Sequence, residues 1–263
     1  GITYTKAEAD ILFKELDGSI KSSTQFIPQT KRVEKTNSSS VDELYLRSVK
    51  VEDYDTEDRL IQHAWAFLYE RRLFNLETCD SKYYVSTNTK GRYAGRLIIP
   101  FEEDSQIFYF QARTLGDETP KYLNPTDTWP RPSHILYPFN DEADHLVVCE
   151  GPLDAISLQI QGVNATCTMG CSVSDYQVEA LKEFEGKIII GYDNDDAGKR
   201  GVNKFDYLRR IKRMADPYIC HPPSEVNDWN DAHMQGQDLK KFVDYHTKKY
   251  DYNYLMNHLL TTL

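Results

Sequence analysis

The chain has 263 residues, of which 40% are hydrophobic and 12% aromatic, and this apolar content excludes disorder throughout. The formal net charge of −10 argues against a protein that only coats nucleic acid with a basic surface. It is compatible with a polymerase or a nuclease, in which acidic residues hold metal ions and basic residues cluster elsewhere.

The cysteines indicate a reducing compartment. None of the five belongs to a C-x-x-C pair, so we expect reduced, mostly buried thiols at Cys79, Cys149, Cys167, Cys171 and Cys220. Cys167 and Cys171 lack the second pair that would complete a zinc site, and no zinc is expected in this chain. No apolar run approaches the roughly 20 residues that span a bilayer, and the N-terminus has no apolar signal-peptide core. We therefore expect a soluble cytoplasmic protein.

The first part of the chain predicts a linker followed by mixed α and β structure. Residues 21–40 are polar, rich in Ser and Thr and aperiodic, which is typical of a linker left from a longer protein. A helix is expected from Thr56, which can cap it. Arg71 and Arg72 close that helix, either as complements to its C-terminal dipole or as a nucleic-acid contact. Residues 96–115 predict two strands around a polar turn.

From His145 onwards, strands and helices alternate. Strands are expected at residues 146–149, 165–168, 187–192 and 218–220. Ser174 and Gln177 form a capping box for a helix that runs to Gly186, and a further helix begins near Ala197. This alternation predicts an α/β fold with a parallel sheet, in which ligands bind at the carboxyl ends of the strands.

Acidic residues follow the first, third and last of these strands. They are Glu150 and Asp154, then Asp193, Asp195 and Asp196, then Asp228. Carboxylates that converge on one edge repel one another unless a cation neutralises them, and Mg²⁺ prefers oxygen ligands. The alternative is that the acids after the third strand only cap the next helix. Capping alone would not explain acidic residues at the ends of separate strands, so the pattern favours a metal site.

Two of these segments resemble the Toprim domain. They are Glu-Gly-x-x-Asp at residues 150–154 and Asp-x-Asp-x-Ala-Gly at residues 193–198. The Toprim domain is shared by DnaG-type primases, type IA and type II topoisomerases and a group of nucleases.

The resemblance implies roles for the acids. Glu150 would act as a general acid or base, and Asp193 and Asp195 would bind Mg²⁺ (or Mn²⁺). Asp154 and Asp228 would assist in holding the metal. Asp196 has no implied role beyond capping.

The upstream part resembles the catalytic core of DnaG-type primases. Three motifs stand in primase order: Gly95-Arg96, Phe110-Gln111-Ala112-Arg113 and Pro120-Lys121-Tyr122-Leu123-Asn124. The later segment EVNDWNDAHMQGQDLKKF resembles the end of the shorter primases of T-even-type phages. The implied function is that of a DNA primase, a DNA-directed RNA polymerase that makes short RNA primers with two divalent ions.

The same resemblance implies partners and location. Single-stranded DNA, NTPs and a replicative helicase would be the partners, and the chain would be a phage protein in the cytoplasm of a bacterial host. Primases of this type carry an upstream zinc-binding module. Its cysteine spacing does not occur here, so we expect that module and the large helicase-binding domain to be missing from this chain.

Basic and polar residues are assigned to substrates by the resemblance. Arg96, Arg113 and Lys121 would face nucleotide phosphates or the template, Tyr122 would stack on a base and Asn124 would hydrogen-bond it. Without the resemblance, the preferred interpretation of these residues is ordinary surface charge and packing on strand faces.

A basic helix is predicted after the acidic motif. Residues 199–213 carry seven basic residues, including Lys199 and Arg200, against the single acid Asp206. They indicate either a solvated helix face or a track for a DNA·RNA hybrid. The basic residues near the end of this helix, Arg209 among them, are expected mostly away from its apolar stripe.

We divide the chain into a linker remnant (1–40), an N-terminal basal subdomain (41–142), a Toprim domain (143–228) and a C-terminal segment of one or two helices (229–263). Trp65, Trp129 and Trp229 are expected in core or subdomain contacts. Two alternatives to a primase remain open: a Toprim nuclease that cleaves without NTPs, and a non-catalytic module that binds single-stranded DNA or a helicase.

Overall fold

The computed structural model describes residues 48–51, 57–73, 83–86, 91–103, 106–126 and 131–251. The predicted linker, Thr56, Cys79 and Trp129 lie outside the described residues.

The first sheet has five antiparallel strands in the order β1-β2-β3-β4-β5. They are β1 (Ser48–Lys50), β2 (Tyr84–Ser86), β3 (Leu97–Glu103), β4 (Gln106–Arg113) and β5 (Tyr122–Leu123). The two strands predicted within residues 96–115 are confirmed as β3 and β4. Arg113 lies opposite Tyr122 in the β4–β5 pair.

Helix α1 (Arg59–Glu70) begins later than predicted. Its N-cap is Asp58, whose side chain accepts a hydrogen bond from the Leu60 backbone N–H at 2.9 Å. An Asp cap satisfies one of the free N–H groups of the first turn, so the helix does not need Thr56 for this purpose. The helix buries Ala64 and Leu68.

The second sheet is parallel, as predicted, apart from one edge strand. Its order is β10-β9-β8-β6-β7. The strands are β6 (His145–Cys149), β7 (Ala165–Cys167), β8 (Lys187–Ile190), β9 (Tyr218–Ile219) and β10 (Lys248–Lys249). Strand β10 pairs antiparallel with β9 and was not predicted, because two lysines on an edge carry no alternating apolar pattern.

Five helices accompany this sheet. They are α2 (Pro152–Ile160), α3 (Asp175–Lys182), α4 (Asp196–Ile211), α5 (Trp229–Met234) and α6 (Leu239–His246). The capping box of Ser174 and Gln177 is present at the start of α3. The prediction that this helix runs to Gly186 is wrong. A Cβ at Gly186 would lie 2.7 Å from the Ala143 carbonyl oxygen, so this glycine allows the chain to pass close to its neighbour before β8.

The largest cluster of buried apolar side chains joins the two sheets. Phe101 and Tyr109 from the first sheet share it with Val147 and Trp229 from the second part of the fold. Trp229 is fully buried, as expected for a core residue. A separate cluster on the other face of the second sheet packs α3 and α4 against β8. The first sheet is thus fixed against the face of the second sheet that carries α2 and α5.

The described cysteines are free thiols, and Cys149, Cys167 and Cys220 are buried, which confirms the prediction for these residues. Among the described residues, no helix has the length and apolar character needed to cross a membrane.

Candidate active site

Glu150 and Asp193 leave neighbouring parallel strands at their carboxyl ends. Val148 of β6 lies opposite Ile190 of β8, so both acids emerge at the same edge of the sheet. Glu150 Oε1 and Asp193 Oδ1 are buried and have no hydrogen-bond partner among the described residues. Buried acceptors are rarely left unpaired, and this pair marks the edge as a candidate ligand site.

The turn after β8 holds Asp193 in place. A Cβ at Gly198 would lie 2.1 Å from the Asp193 carbonyl oxygen, so only glycine fits there. Asn194 donates its backbone N–H to the Asn227 carbonyl at 2.9 Å, and its side chain donates to the Val226 carbonyl at 2.8 Å. These bonds bring the segment before Asp228 to the same edge.

Asp195 and Asp228 each cap a helix. Asp195 Oδ1 accepts from the Gly198 N–H at 2.8 Å, and Asp228 Oδ1 accepts from the Asp231 N–H at 2.7 Å. Capping is therefore observed at Asp195, and its predicted metal role stays a prediction. Asp196, to which capping was assigned, is instead the first residue of α4, and its side chain is 85% exposed and pairs with Lys199 at 3.2 Å.

Asp154 lies in the first turn of α2 and is buried. Its Oδ1 accepts a hydrogen bond from the Asn230 backbone N–H at 3.1 Å, which ties α2 to the start of α5. A Cβ at Gly151 would lie 3.0 Å from Asp154 Oδ2, so the glycine keeps room for this carboxylate.

The acids act on one another electrostatically. Burial, followed by the charge of Asp195, raises the pKa of Glu150 to about 6. Burial raises the pKa of Asp193 more strongly, with contributions from Asp154, Glu150, Asp228 and Asp195 in that order. Burial and then Asp228 raise the pKa of Asp154, and burial also raises that of Asp228. The predicted acidic set is thus one interacting group.

The donor set fits a hard dication held by few protein ligands. No group of three His, Cys, Asp or Glu side chains within the described ranges is arranged to surround one ion. Mg²⁺ usually needs only one or two carboxylates, because waters and substrate phosphates complete its coordination. The unpaired oxygens of Glu150 and Asp193 provide two such ligands on adjacent strands.

Tyr122 reaches this edge from the first sheet, and Arg113 lies beside it. The Arg113 guanidinium lies 5.1 Å from the centre of the Tyr122 ring and 5.7 Å from that of Phe67. Arg113 is only 8% exposed, and its Nε and Nη1 have no partner among the described residues. The Tyr122 hydroxyl lies 4.0 Å from the position of a Cβ at Gly151. The sequence did not indicate that this arginine is buried.

The other predicted substrate residues of this sheet differ in their surroundings. Arg96 donates from Nη1 to the carbonyls of Pro120 at 3.0 Å and Lys121 at 3.2 Å, so it braces the segment before β5. The Lys121 side chain is exposed, and its charge opposes the rise that burial causes in the pKa of Asp228. Asn124 Oδ1 accepts a hydrogen bond from Gln111 at 2.9 Å.

Arg71 is hydrogen-bonded to Asn230, close to the acidic residues. The sequence had left open whether this arginine complements the helix dipole or contacts nucleic acid. Its Nη1 donates to Asn230 Oδ1, and the Asn230 side chain donates to the Arg71 carbonyl at 3.3 Å. The charge of Arg71 also opposes the rise that burial causes in the pKa of Asp228. Arg71 and Asn230 therefore connect the end of α1 with α5, and no local pattern signals a contact across so many residues.

Helix α4 carries its basic residues in two different environments. Lys199 and Arg200 are exposed in its first turns. The expectation that Arg209 points away from the apolar stripe is wrong. Arg209 is buried and pairs with Asp206 and Asp216, each at 2.7 Å. The two carboxylates neutralise the guanidinium charge and make its burial tolerable.

Residues 147–233 match the family model described as Toprim-like. The chain is 30% identical over 155 residues to a DNA primase of Clostridium acetobutylicum, covering 55% of this chain and 26% of that protein. It is 33% identical over 149 residues to a DNA primase of Thermotoga maritima, covering 51% of this chain and 26% of that protein. The chain thus spans about a quarter of the length of the curated relatives it matches.

The structure is also similar to the DnaG primase catalytic domain solved bound to ssDNA. The TM-score is 0.66 at 18% identity, and the match covers 85% of this chain and 82% of that chain. The chain therefore shares the fold of the DnaG primase catalytic core, with a Toprim-like segment at residues 147–233.

Proposed function

We propose that this chain is a DNA primase catalytic core that synthesises short RNA primers on single-stranded DNA from NTPs. The observation that carries the proposal is the pair of unpaired buried acceptors, on Glu150 and Asp193, at the carboxyl edge of the parallel sheet. The unpaired donors of Arg113 lie beside Tyr122, whose hydroxyl lies near Gly151 at that edge. The relatives named DNA primase and the ssDNA-bound DnaG domain support this assignment.

Two divalent cations, Mg²⁺ or Mn²⁺, would be held by Glu150 and Asp193, with Asp154, Asp195 and Asp228 completing the acidic surroundings. When bound, they supply charge that lowers the pKa of a ribose 3′-hydroxyl and neutralises the triphosphate. Glu150 would also accept the proton of that hydroxyl, in the general-base role that the Toprim resemblance implies.

The basic and aromatic residues would position the substrates. Arg113 would donate its free N–H groups to phosphate oxygens, and Lys121 would add a point charge. Arg96 would hold the β5 segment and contact the template. Tyr122 and Asn124 would contact a base.

The template would continue past the start of α4, where Lys199 and Arg200 would contact its backbone in a salt-dependent way. A replicative helicase and an upstream zinc-binding module would be further partners, in the cytoplasm of a phage-infected bacterium. The T-even-type resemblance of residues 225–242 supports the phage origin.

Primer synthesis tests the assignment directly. The chain is incubated with single-stranded DNA, labelled NTPs and Mg²⁺, alone and with helicase, and RNA products are resolved by length. Glu150→Gln and Asp193→Asn should each reduce synthesis about 100-fold or more, because each removes a proposed metal ligand. Asp196→Asn, on an exposed acid in the same segment, is the matched control and should retain activity. Wild-type rates in Asp193→Asn would refute the proposal, and degraded template without NTPs would favour a Toprim nuclease.

Lys121 tests the substrate contacts. Lys121→Ala should raise the KM for NTPs about 10-fold with little change in kcat, because it removes a charge that binds substrate and transition state alike. Lys240→Ala, an exposed lysine on α6, is the control and should leave KM unchanged. An unchanged KM in Lys121→Ala would mean that this lysine is ordinary surface charge and does not contact the substrate.

A further inference from the structure

Gln111 is a buried amide with one group unused. It is 2% exposed, and its Nε2 donates to Asn124 Oδ1 at 2.9 Å. Its Oε1 is buried without a hydrogen-bond partner among the described residues. An unpaired buried acceptor costs free energy, and a leucine would fill the same space without this cost. The amide is therefore better explained by a ligand than by packing.

Gln111 shares one face of the first sheet with the residues proposed to bind substrate. Side chains alternate along a strand, so Gln111 and Arg113 point to the same side of β4. Arg113 lies opposite Tyr122, and Gln111 is hydrogen-bonded to Asn124 on the neighbouring strand. We call this set of four, Gln111, Arg113, Tyr122 and Asn124, the amide–guanidinium face.

The unpaired groups on this face differ in kind. Arg113 offers two N–H donors, and Gln111 offers one acceptor two residues away, at a spacing of about 7 Å along the strand. A ligand that satisfies both has anionic oxygens at one end and a hydrogen-bond donor at the other. A nucleotide has this chemistry, with phosphates next to a ribose that carries hydroxyl groups.

We propose that Gln111 Oε1 accepts a hydrogen bond from the 2′-hydroxyl of the incoming nucleotide and thereby selects ribonucleotides over deoxyribonucleotides. This inference rests on the proposed function, since it concerns the substrate of the same reaction. The ribose is the partner because a polymerase that copies a template must accept all four bases. A fixed acceptor directed at a base would discriminate between bases, since uracil lacks an exocyclic amine.

Equilibrium binding tests the inference without requiring catalysis. ATP, 2′-deoxy-ATP, 2′-fluoro-2′-deoxy-ATP and 3′-deoxy-ATP are titrated into the wild-type chain in the presence of Mn²⁺. ATP and 3′-deoxy-ATP should bind about 10-fold more tightly than 2′-deoxy-ATP, because only the latter leaves the acceptor unpaired. The 2′-fluoro analogue should bind as weakly as 2′-deoxy-ATP, since fluorine cannot donate. Strong binding of the 2′-fluoro analogue would show that the amide donates rather than accepts and would overturn the assignment.

Gln111→Met keeps the size of the side chain and removes the acceptor. It should abolish the preference for ATP over 2′-deoxy-ATP. The melting temperature should fall less than in the control below, because the change removes one hydrogen bond, to Asn124, together with one unpaired acceptor. Gln177→Met is the matched control. The Gln177 amide is equally buried but fully bonded, with Oε1 accepting from Ser174 and Nε2 donating to the Ile135 carbonyl. This control should lower the melting temperature and retain the preference.

Besides strong binding of the 2′-fluoro analogue, two outcomes overturn the inference. One is a wild type that binds ATP and 2′-deoxy-ATP equally, as expected if a bound water satisfies Gln111. The other is a Gln111→Met variant that retains the preference. The nucleotide series on the wild type gives an answer even if that variant fails to fold. If Gln111→Met loses the preference but the wild-type chain makes no RNA, the proposed function is refuted. The contact between Gln111 and the 2′-hydroxyl is then still supported.

Discussion

At the scale of single residues, the unpaired buried groups identify the candidate site. Glu150, Asp193, Gln111 and Arg113 each leave a donor or acceptor buried without a partner. Native interiors satisfy nearly all such groups, and exceptions are expected where a ligand completes them. These residues should therefore reduce the stability of the ligand-free protein.

Asp193→Asn tests this cost. In metal-free buffer, the substitution should raise the free energy of unfolding by about 1–3 kcal/mol. Burial and then four neighbouring acids raise the pKa of this carboxyl above its unfolded-state value, and the amide does not carry this destabilising shift. Urea unfolding in EDTA measures the difference, and Asp196→Asn should leave stability unchanged. A less stable Asp193→Asn protein would mean that this carboxylate has a structural partner.

At the scale of elements, the turn from β8 into α4 determines where the acids point. Asp195 caps the helix, and Asn194 anchors the turn to the segment before Asp228. Gly198 allows the helix to start against the Asp193 backbone. The turn therefore joins a structural function, capping, with the placement of Asp193 at the sheet edge.

Gly198→Ala should disrupt this turn. The new Cβ would lie 2.1 Å from a backbone oxygen, which cannot move aside as a flexible side chain can. We expect a loss of about 2–3 kcal/mol in the free energy of unfolding, measured by chemical denaturation. Gly116→Ala is the control, because its Cβ would meet only the Glu118 side chain at 3.1 Å. Equal stability of the two variants would contradict the packing argument.

At the scale of the whole molecule, His233 connects the two halves of the fold. Its Nε2 donates to the Arg72 carbonyl at 2.8 Å, and its Nδ1 accepts from Gln161 Nε2 at 2.9 Å. The orientation of the Gln161 amide is set by its Oε1, which accepts from the Leu239 N–H. The imidazole is therefore neutral, and burial lowers its pKa below the usual 6.5.

Stability should therefore fall in acid through His233. Because the folded-state pKa lies below the unfolded-state value, the unfolded chain binds the proton first as the pH drops below 6.5. His233→Asn should reduce the stability difference between pH 7.5 and pH 5.5, by at most about 1.4 kcal/mol for the one pH unit below 6.5. Urea unfolding at both pH values measures this difference. His63→Asn, an exposed histidine on α1, should show the wild-type pH dependence.

The sequence by itself determined the features that depend on neighbouring residues. Strand and helix periodicity predicted the parallel sheet, the capping box at Ser174 was recognised from its spacing, and acids at strand ends predicted the edge where Glu150 and Asp193 lie. Only the tertiary structure decided which side chains have partners. Arg209 is neutralised by Asp206 and Asp216, Arg113 and Gln111 are buried without full hydrogen bonding, and Asn230 joins Arg71 to Asp154. Most of these relations depend on contacts between segments distant in the chain, and burial depends on what packs above each strand, which local patterns do not record.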